Sequence, residues 1–256
     1  MHLRLAVLPL ILLLTSASAF AFPEALPGSV WLNGSRDMNG IEGYGTMGFV
    51  NQGVQWFSLP GEIPFTTYAA YSWRIREKNR THYNTNGPSV GAEISKFSTQ
   101  FGMEYAWQDY PNLPDYRKSF VTYLKTYQRF DFLKGDEPSL LGIPVLGFPT
   151  TFWTSVTYDY GKLEGVGSMG YLNQGIDWFR LPGKIVFRTL AAYHWRLRSL
   201  NRAFYNMHGP GLGAELELAP FTAGVEYAWL WYPELNRNTK DFRLYLTAYF
   251  DWGVQR

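Results

Sequence analysis

Apolar and polar residues alternate along most of this chain. In 63–76 one parity reads Ile63, Phe65, Thr67, Ala69, Tyr71, Trp73, Ile75, and the other reads Pro64, Thr66, Tyr68, Ala70, Ser72, Arg74, Arg76. The stretch 185–198 repeats the split, with Phe187, Tyr193 and Trp195 opposed by Arg188, His194, Arg196 and Arg198. Side chains alternate across a strand, so each segment has one apolar face and one polar, cationic face. The same division runs through 90–94, 101–107, 221–229 and 240–252. These segments are about 10–15 residues long, whereas soluble strands usually run to five or six and a tilted strand crosses a bilayer in about 9–11. Length and alternation together predict membrane-crossing strands.

Twelve strands are expected. The first six cover roughly 29–36, 43–58, 62–76, 88–97, 98–109 and 117–131, and the second six 151–160, 165–180, 184–198, 210–219, 220–231 and 239–253. Stretches 43–53 and 165–175 also fit a helix, and their glycines suit neither element. With the N-terminus in the periplasm, turns after even strands should be short. Pro60-Gly61 and Pro182-Gly183 suit type II turns, and 96–98 and 219–220 leave room only for tight reversals. Loops after odd strands should be longer, as 77–87, 110–116, 199–209 and 232–238 are. Segment 132–150 breaks this rule and is expected to be a periplasmic joint.

The chain is one unit written twice. Residues 43–131 return without insertion as 165–253: Trp56 returns as Trp178, 122 residues later, and Glu104-Tyr-Ala-Trp107 as Glu226-Tyr-Ala-Trp229. The predicted organisation is therefore a leader (1–21), a first half (22–131), the joint (132–150) and a second half (151–256).

Composition adds three points. The 18 Tyr, 18 Phe and 10 Trp could fill a core, line a sugar-binding surface or form the girdles of a membrane barrel. A net charge of +2 without basic runs argues against nucleic acid. The lack of cysteine excludes disulfides, thiol nucleophiles, zinc–thiolate sites and a lipoprotein anchor. At the N-terminus, His2 and Arg4, the apolar run 5–14 and the A-x-A sites Ala17-Ser-Ala19 and Ala19-Phe-Ala21 read as a secretory signal.

Signal, amphipathic strands, loop asymmetry and a last strand with alternating aromatics resemble a small, porin-like bacterial outer-membrane β-barrel. The chain departs from that pattern where Gly253-Val-Gln-Arg256 follows the terminal aromatic Trp252. The expected fold is all-β: an antiparallel transmembrane barrel of about twelve strands made of two tandem six-strand repeats. Closing two such sheets edge to edge leaves no backbone group unpaired, which lipid requires. Trp73, Trp107, Trp195 and Trp229 fall near strand ends, where an interfacial girdle sits. The rival architecture is a pair of soluble β-domains with apolar faces packed together.

The candidate chemistry lies on the inward parity. Arg74, Arg76, Glu93 and Glu104 return as Arg196, Arg198, Glu215 and Glu226, and a network across the lumen would pair them, with Glu93 level with Ser72 and Glu104 opposite Gly91. Inward Gly91, Gly102, Gly213 and Gly224 would make room for long side chains. The loops share Asn79, Arg80, Tyr83 and Asn84 with Asn201, Arg202, Tyr205 and Asn206. These are turn formers, or ligands for surface polysaccharide or lipopolysaccharide headgroups. No histidine of the mature chain is repeated, so neither a catalytic site nor a metal or other cofactor is expected. His194, inward beside Arg196, is the one position an asymmetric site could use.

The expected role is a narrow outer-membrane channel or translocation component for small or linear polar substrates. Its expected surroundings are outer-membrane lipid and lipopolysaccharide, with surface polysaccharide or a secretion complex as further partners. The alternatives are a non-conducting structural or adhesion barrel plugged by the Arg/Glu network, and a periplasmic carbohydrate-binding β-protein.

Overall fold

A computed structural model describes residues 23–38, 41–113, 116–132, 139–161 and 163–255; the predicted leader lies outside them. The first six strands are β1 (Ala25–Asp37), β2 (Tyr44–Leu59), β3 (Ile63–Arg76), β4 (Thr85–Lys96), β5 (Thr99–Asp109) and β6 (Tyr116–Phe132). A two-stranded hairpin follows, β7 (Ser139–Leu140) with β8 (Ile143–Pro144). The chain then forms β9 (Phe148–Asp159), β10 (Val166–Leu181), β11 (Ile185–Arg198), β12 (Met207–Leu218), β13 (Phe221–Tyr232) and β14 (Arg237–Gln255).

All but the small hairpin join one closed antiparallel barrel of twelve strands. Two seams unite its halves. β1 pairs with β14 from Ala25↔Gln255 to Asp37↔Arg243, and β6 pairs with β9 from Val121↔Asp159 to Phe132↔Phe148. The residues beyond Trp252 thus lengthen the β1–β14 seam.

The outer surface is apolar. Tyr71, Val90, Phe101, Leu124, Leu212, Val225 and Leu246 all stand exposed on it. At one end Trp73, Trp107, Trp195 and Trp229 form a ring; at the other lie Trp56, Trp178 and Trp252. A β-bulge at Trp56, matched at Trp178, turns each indole outward, where it donates to Thr67 and Thr189 at 2.8 Å. On β3, Phe65 and Trp73 are eight residues apart. At about 3.3 Å per residue and a tilt of about 40°, that is roughly 20 Å, close to the ~25 Å apolar band of such barrels. Without an open edge, and with lipid-facing greasy residues between two aromatic belts, the molecule is a transmembrane barrel of the outer-membrane type. The longer hairpin loops, 77–84 and 199–206 among them, mark its external end.

One sequence expectation is met where a helix was the alternative, and one needs adjustment. Stretches 44–53 and 166–175 are strands; Gly48 and Gly170 lie directly beneath the rings of Trp73 and Trp195, where a Cβ would overlap the indole. Packing across the strand decides here over glycine's poor propensity. β4 and β12 begin three residues earlier than expected, so Gly87-Pro88 and Gly209-Pro210 lie inside strands and not at loop exits.

Candidate functional site

The external end of the lumen is dry, whereas toward the periplasmic end water reaches inward side chains on β6 and β14 but not Arg188, Glu215 or Thr151, which are buried. Along β14, Tyr249 is 50% exposed and Asp241 1%, and on β13 Glu226, Ala228, Leu230 and Tyr232 are all buried. The external mouth is therefore filled, and its filling is built from pairs of residues 122 apart.

At the centre stand Tyr83 and Tyr205, buried, with ring centroids 6.1 Å apart. The Arg76 and Arg198 guanidiniums each lie 3.9 Å from their own loop's tyrosine ring. Those of Arg74 and Arg196 lie 4.9–5.3 Å from both rings. Two carboxylates bind the four cations. Glu42, in the loop after β1, accepts from Arg196 at 2.5 Å and from Arg76 at 3.1 Å. Glu164, after β9, accepts from Arg74 at 2.5 Å and from Arg198 at 3.3 Å. Each half thus supplies a counterion to the other. Arg76 also donates to the Phe204 carbonyl at 3.1 Å and Arg198 to that of His82 at 3.2 Å, tying the facing loops together.

Local geometry makes this cluster reproducible. Gly43 and Gly165 follow the glutamates at φ 70° and 67°, a conformation that costs glycine nothing. Asn79 and Asn201 adopt positive φ as well and donate to the carbonyls of Ile41 and Leu163 at 2.9 and 2.8 Å. Asn84 clamps the backbone of Arg76, accepting from its N–H at 2.8 Å and donating to its carbonyl at 3.1 Å. Asn206 does the same for Arg198 at 2.7 and 3.1 Å. Ile41, Met207, Ala228, Leu230 and Tyr232 form a small apolar core beside the cluster. Burial alone would push the Glu42 carboxyl up; Arg196, then Arg243 and Arg76, outweigh it and hold it at about 2. Burial also opposes ionisation of Glu164, and Arg74 and Arg198 hold its carboxyl below the usual range.

The expected pairing of these arginines with Glu93, Glu104, Glu215 and Glu226 is corrected. Arg74 stands opposite Thr85, and Glu93 opposite Thr66 rather than level with Ser72, because β4 starts at Thr85 and carries Glu93 further from the loop. Glu104 does face Gly91. In the first half, Tyr123 donates to Glu93 at 2.7 Å and Tyr68 to Glu104 at 2.9 Å, the two hydroxyls being 2.9 Å apart. Tyr68 and Tyr123 lie over Gly91 and Gly102, whose missing Cβ atoms give them room. In the second half, Glu215 pairs with Arg188 at 2.9 Å, and Arg188 also holds Asp177 and Glu217; Glu226 meets His194 at 2.7 Å.

The loop candidates divide. Tyr83, Asn84, Tyr205 and Asn206 are buried inside the cluster, the two asparagines clamping arginine backbones and the Tyr205 hydroxyl accepting from Arg74 at 3.3 Å, so they offer no open ligand surface. Asn79, Arg80, Asn201 and Arg202 remain exposed, with Arg202 3.4 Å from Glu234. Sequence reasoning missed Glu42 and Glu164. Their signal was present: they occupy the position just before the recurrence that starts at Gly43 and Gly165, and Asp37 and Asp159 extend it further upstream. Beneath Glu164 a cavity of about 150 Å³ reaches Glu104, Gln108, Ser119 and Asp159.

No family profile matches the sequence, and no curated protein does. Solved structures do resemble the fold. The β domain of the Bordetella autotransporter BrkA is 11% identical over 88% of this chain and 99% of its own, with a TM-score of 0.40. LpxR from Salmonella typhimurium is 11% identical over 87% and 100%, TM-score 0.43. The KdgM porin is 10% identical over 87% and 99%, TM-score 0.37. Each likeness describes fold alone. The lipid-facing surface and closed sheet of this chain make it an outer-membrane β-barrel, an architecture shared by channels and translocators.

Proposed function

We propose that this chain is a narrow outer-membrane channel for small or linear polar substrates, held shut at its external end by the Arg–Glu–Tyr cluster. The observation that carries this reading is the contrast within the lumen, whose β6 and β14 walls keep Tyr127 and Tyr249 open to water below a mouth sealed by ion pairs between the two halves. Arg74, Arg76, Arg196 and Arg198 form the gate with Glu42 and Glu164; Glu93 and Glu104 line the passage beneath it, while Glu215 and Glu226 are buried in their pairs with Arg188 and His194. Charged constrictions of this kind select by charge and size.

The test is conductance of purified protein in planar bilayers. Wild type should conduct little, and Glu42→Gln with Glu164→Gln should raise the current several-fold. Silence of wild type and double variant at every voltage would defeat the channel. That outcome would favour the second reading, a non-conducting barrel, which the full pairing of the gate arginines also supports.

A further inference from the structure

We infer that the lumen holds a binding track for a linear oligosaccharide, formed by two facing aromatic triads: Trp31, Phe49 and Tyr249, and Trp153, Tyr171 and Tyr127. The inference builds on the channel reading and names its substrate class.

Register places the triads. Trp31 pairs with Phe49 on β2 and with Tyr249 on β14; Trp153 pairs with Tyr171 on β10 and with Tyr127 on β6. Their parity is that of Asp37 and Arg243, which form an ion pair inside the barrel, so all six rings point inward. In the closed order of strands, β1 and β9 are six steps apart in either direction, so the triads occupy opposite walls. Trp31 and Phe49 lie 6.2 Å apart at an interplanar angle of 27°, and Trp153 and Tyr171 6.0 Å apart at 31°, giving each wall two nearly parallel ring faces.

Two of these rings keep broad faces open, and the other four keep part of theirs. Tyr127 and Tyr249 are 44% and 50% exposed although both point into the barrel, and none of the other four is buried. Aromatic faces turned toward water leave apolar surface uncovered, and such surface marks a binding site. The walls also carry polar partners one register step away. Ser29 and Asn33 flank Trp31, with the Ser29 hydroxyl bound to Asn51 and the Asn33 amide to Thr247; Thr151 and Ser155 flank Trp153 but are buried. Flat apolar faces edged by hydroxyls and amides match a pyranose ring, whose C–H face stacks on an aromatic and whose hydroxyls lie at its rim. A small ion has no use for six rings, and an acyl chain has none for the amides.

Size agrees. Twelve strands spaced about 4.8 Å and tilted about 40° give a backbone cylinder roughly 24 Å across. A cylinder of that width, narrowed by side chains from both walls, is of the scale of a single extended glycan and too small for a folded polypeptide.

The experiment is calorimetric titration of the full-length mature protein, in amine-oxide micelles because maltoside detergents would compete, with maltohexaose, cellohexaose and chitohexaose. At least one should bind wild type. Trp31→Ala with Trp153→Ala, and separately Tyr127→Ala with Tyr249→Ala, should weaken that binding at least tenfold, while lipid-facing Trp107→Ala leaves it unchanged. Heat-modifiable gel migration confirms that each variant is folded, and the tyrosine pair stands in if the tryptophan pair is not. Failure of all three sugars to bind wild type, or binding indifferent to the substitutions, would overturn the inference. Micellar binding needs no current, so binding without conductance sinks the channel alone, and conductance without binding sinks the track alone.

Discussion

Glu42 concentrates the electrostatics of the mouth in one side chain. It neutralises Arg196 from the opposite half and Arg76 from its own, and both guanidiniums are buried. Removing one member of a buried pair leaves an uncompensated charge and costs about 3–5 kcal/mol. Glu42→Gln should therefore lower the unfolding midpoint measured by gel migration, and Glu164→Gln should do the same. The pH dependence has a fixed sign. The folded carboxyl is held at about 2 against an ordinary 4.5, so its contribution is complete above 4.5 and is lost as pH falls toward 2. Acidification across that window should loosen the gate of wild type, read as rising conductance or changed tryptophan fluorescence. The Glu42→Gln/Glu164→Gln protein should show a much smaller change there.

At the level of the strand, close approach between neighbours sets what the sheet tolerates. A Cβ on Gly87 would overlap the Trp107 carbonyl oxygen of the adjacent strand, whereas one on Gly34 meets nothing within 4 Å. Gly87→Ala should force β4 from β5 and sharply lower refolding yield in detergent, and Gly34→Ala should refold as wild type does. The element scale is also where the sequence was most readable. Ile63–Arg76 and Ile185–Arg198 were delimited within a residue by period-two alternation, because lipid outside and water inside impose opposite demands on the two faces. The start of β4 was not readable. Gly87-Pro88 has the composition of a loop exit, and only contact with Trp107, on another strand, reveals it as strand interior. That local misreading moved Glu93 along the barrel and with it the expected partners of the arginines.

For the molecule as a whole, the membrane supplies what a soluble protein finds in its core. Leu212 stands 56% exposed on the lipid face in the middle of β12. Arginine there should cost about 2–4 kcal/mol by the depth dependence known for barrels, measurable as reduced folding into phosphatidylcholine bilayers, while Trp107→Arg at the rim should cost less. Architecture was legible because repetition, strand length and loop asymmetry point the same way. The mouth was only half legible: the four arginines stood out by recurrence, but Glu42 and Glu164 lie in short loops without alternation, and nothing local ties Glu42 to Arg196, 154 residues away in sequence. The reciprocal exchange of counterions has a further consequence. Withdrawing Glu164 releases Arg74 and Arg198 together, and Arg198 also grips the facing loop through the His82 carbonyl; withdrawing Glu42 releases Arg196 and Arg76 in the same way, and Arg76 grips the Phe204 carbonyl. Such a latch has two positions and no stable halfway point, so a single protein in a bilayer should switch between silence and one fixed current level rather than climb a staircase.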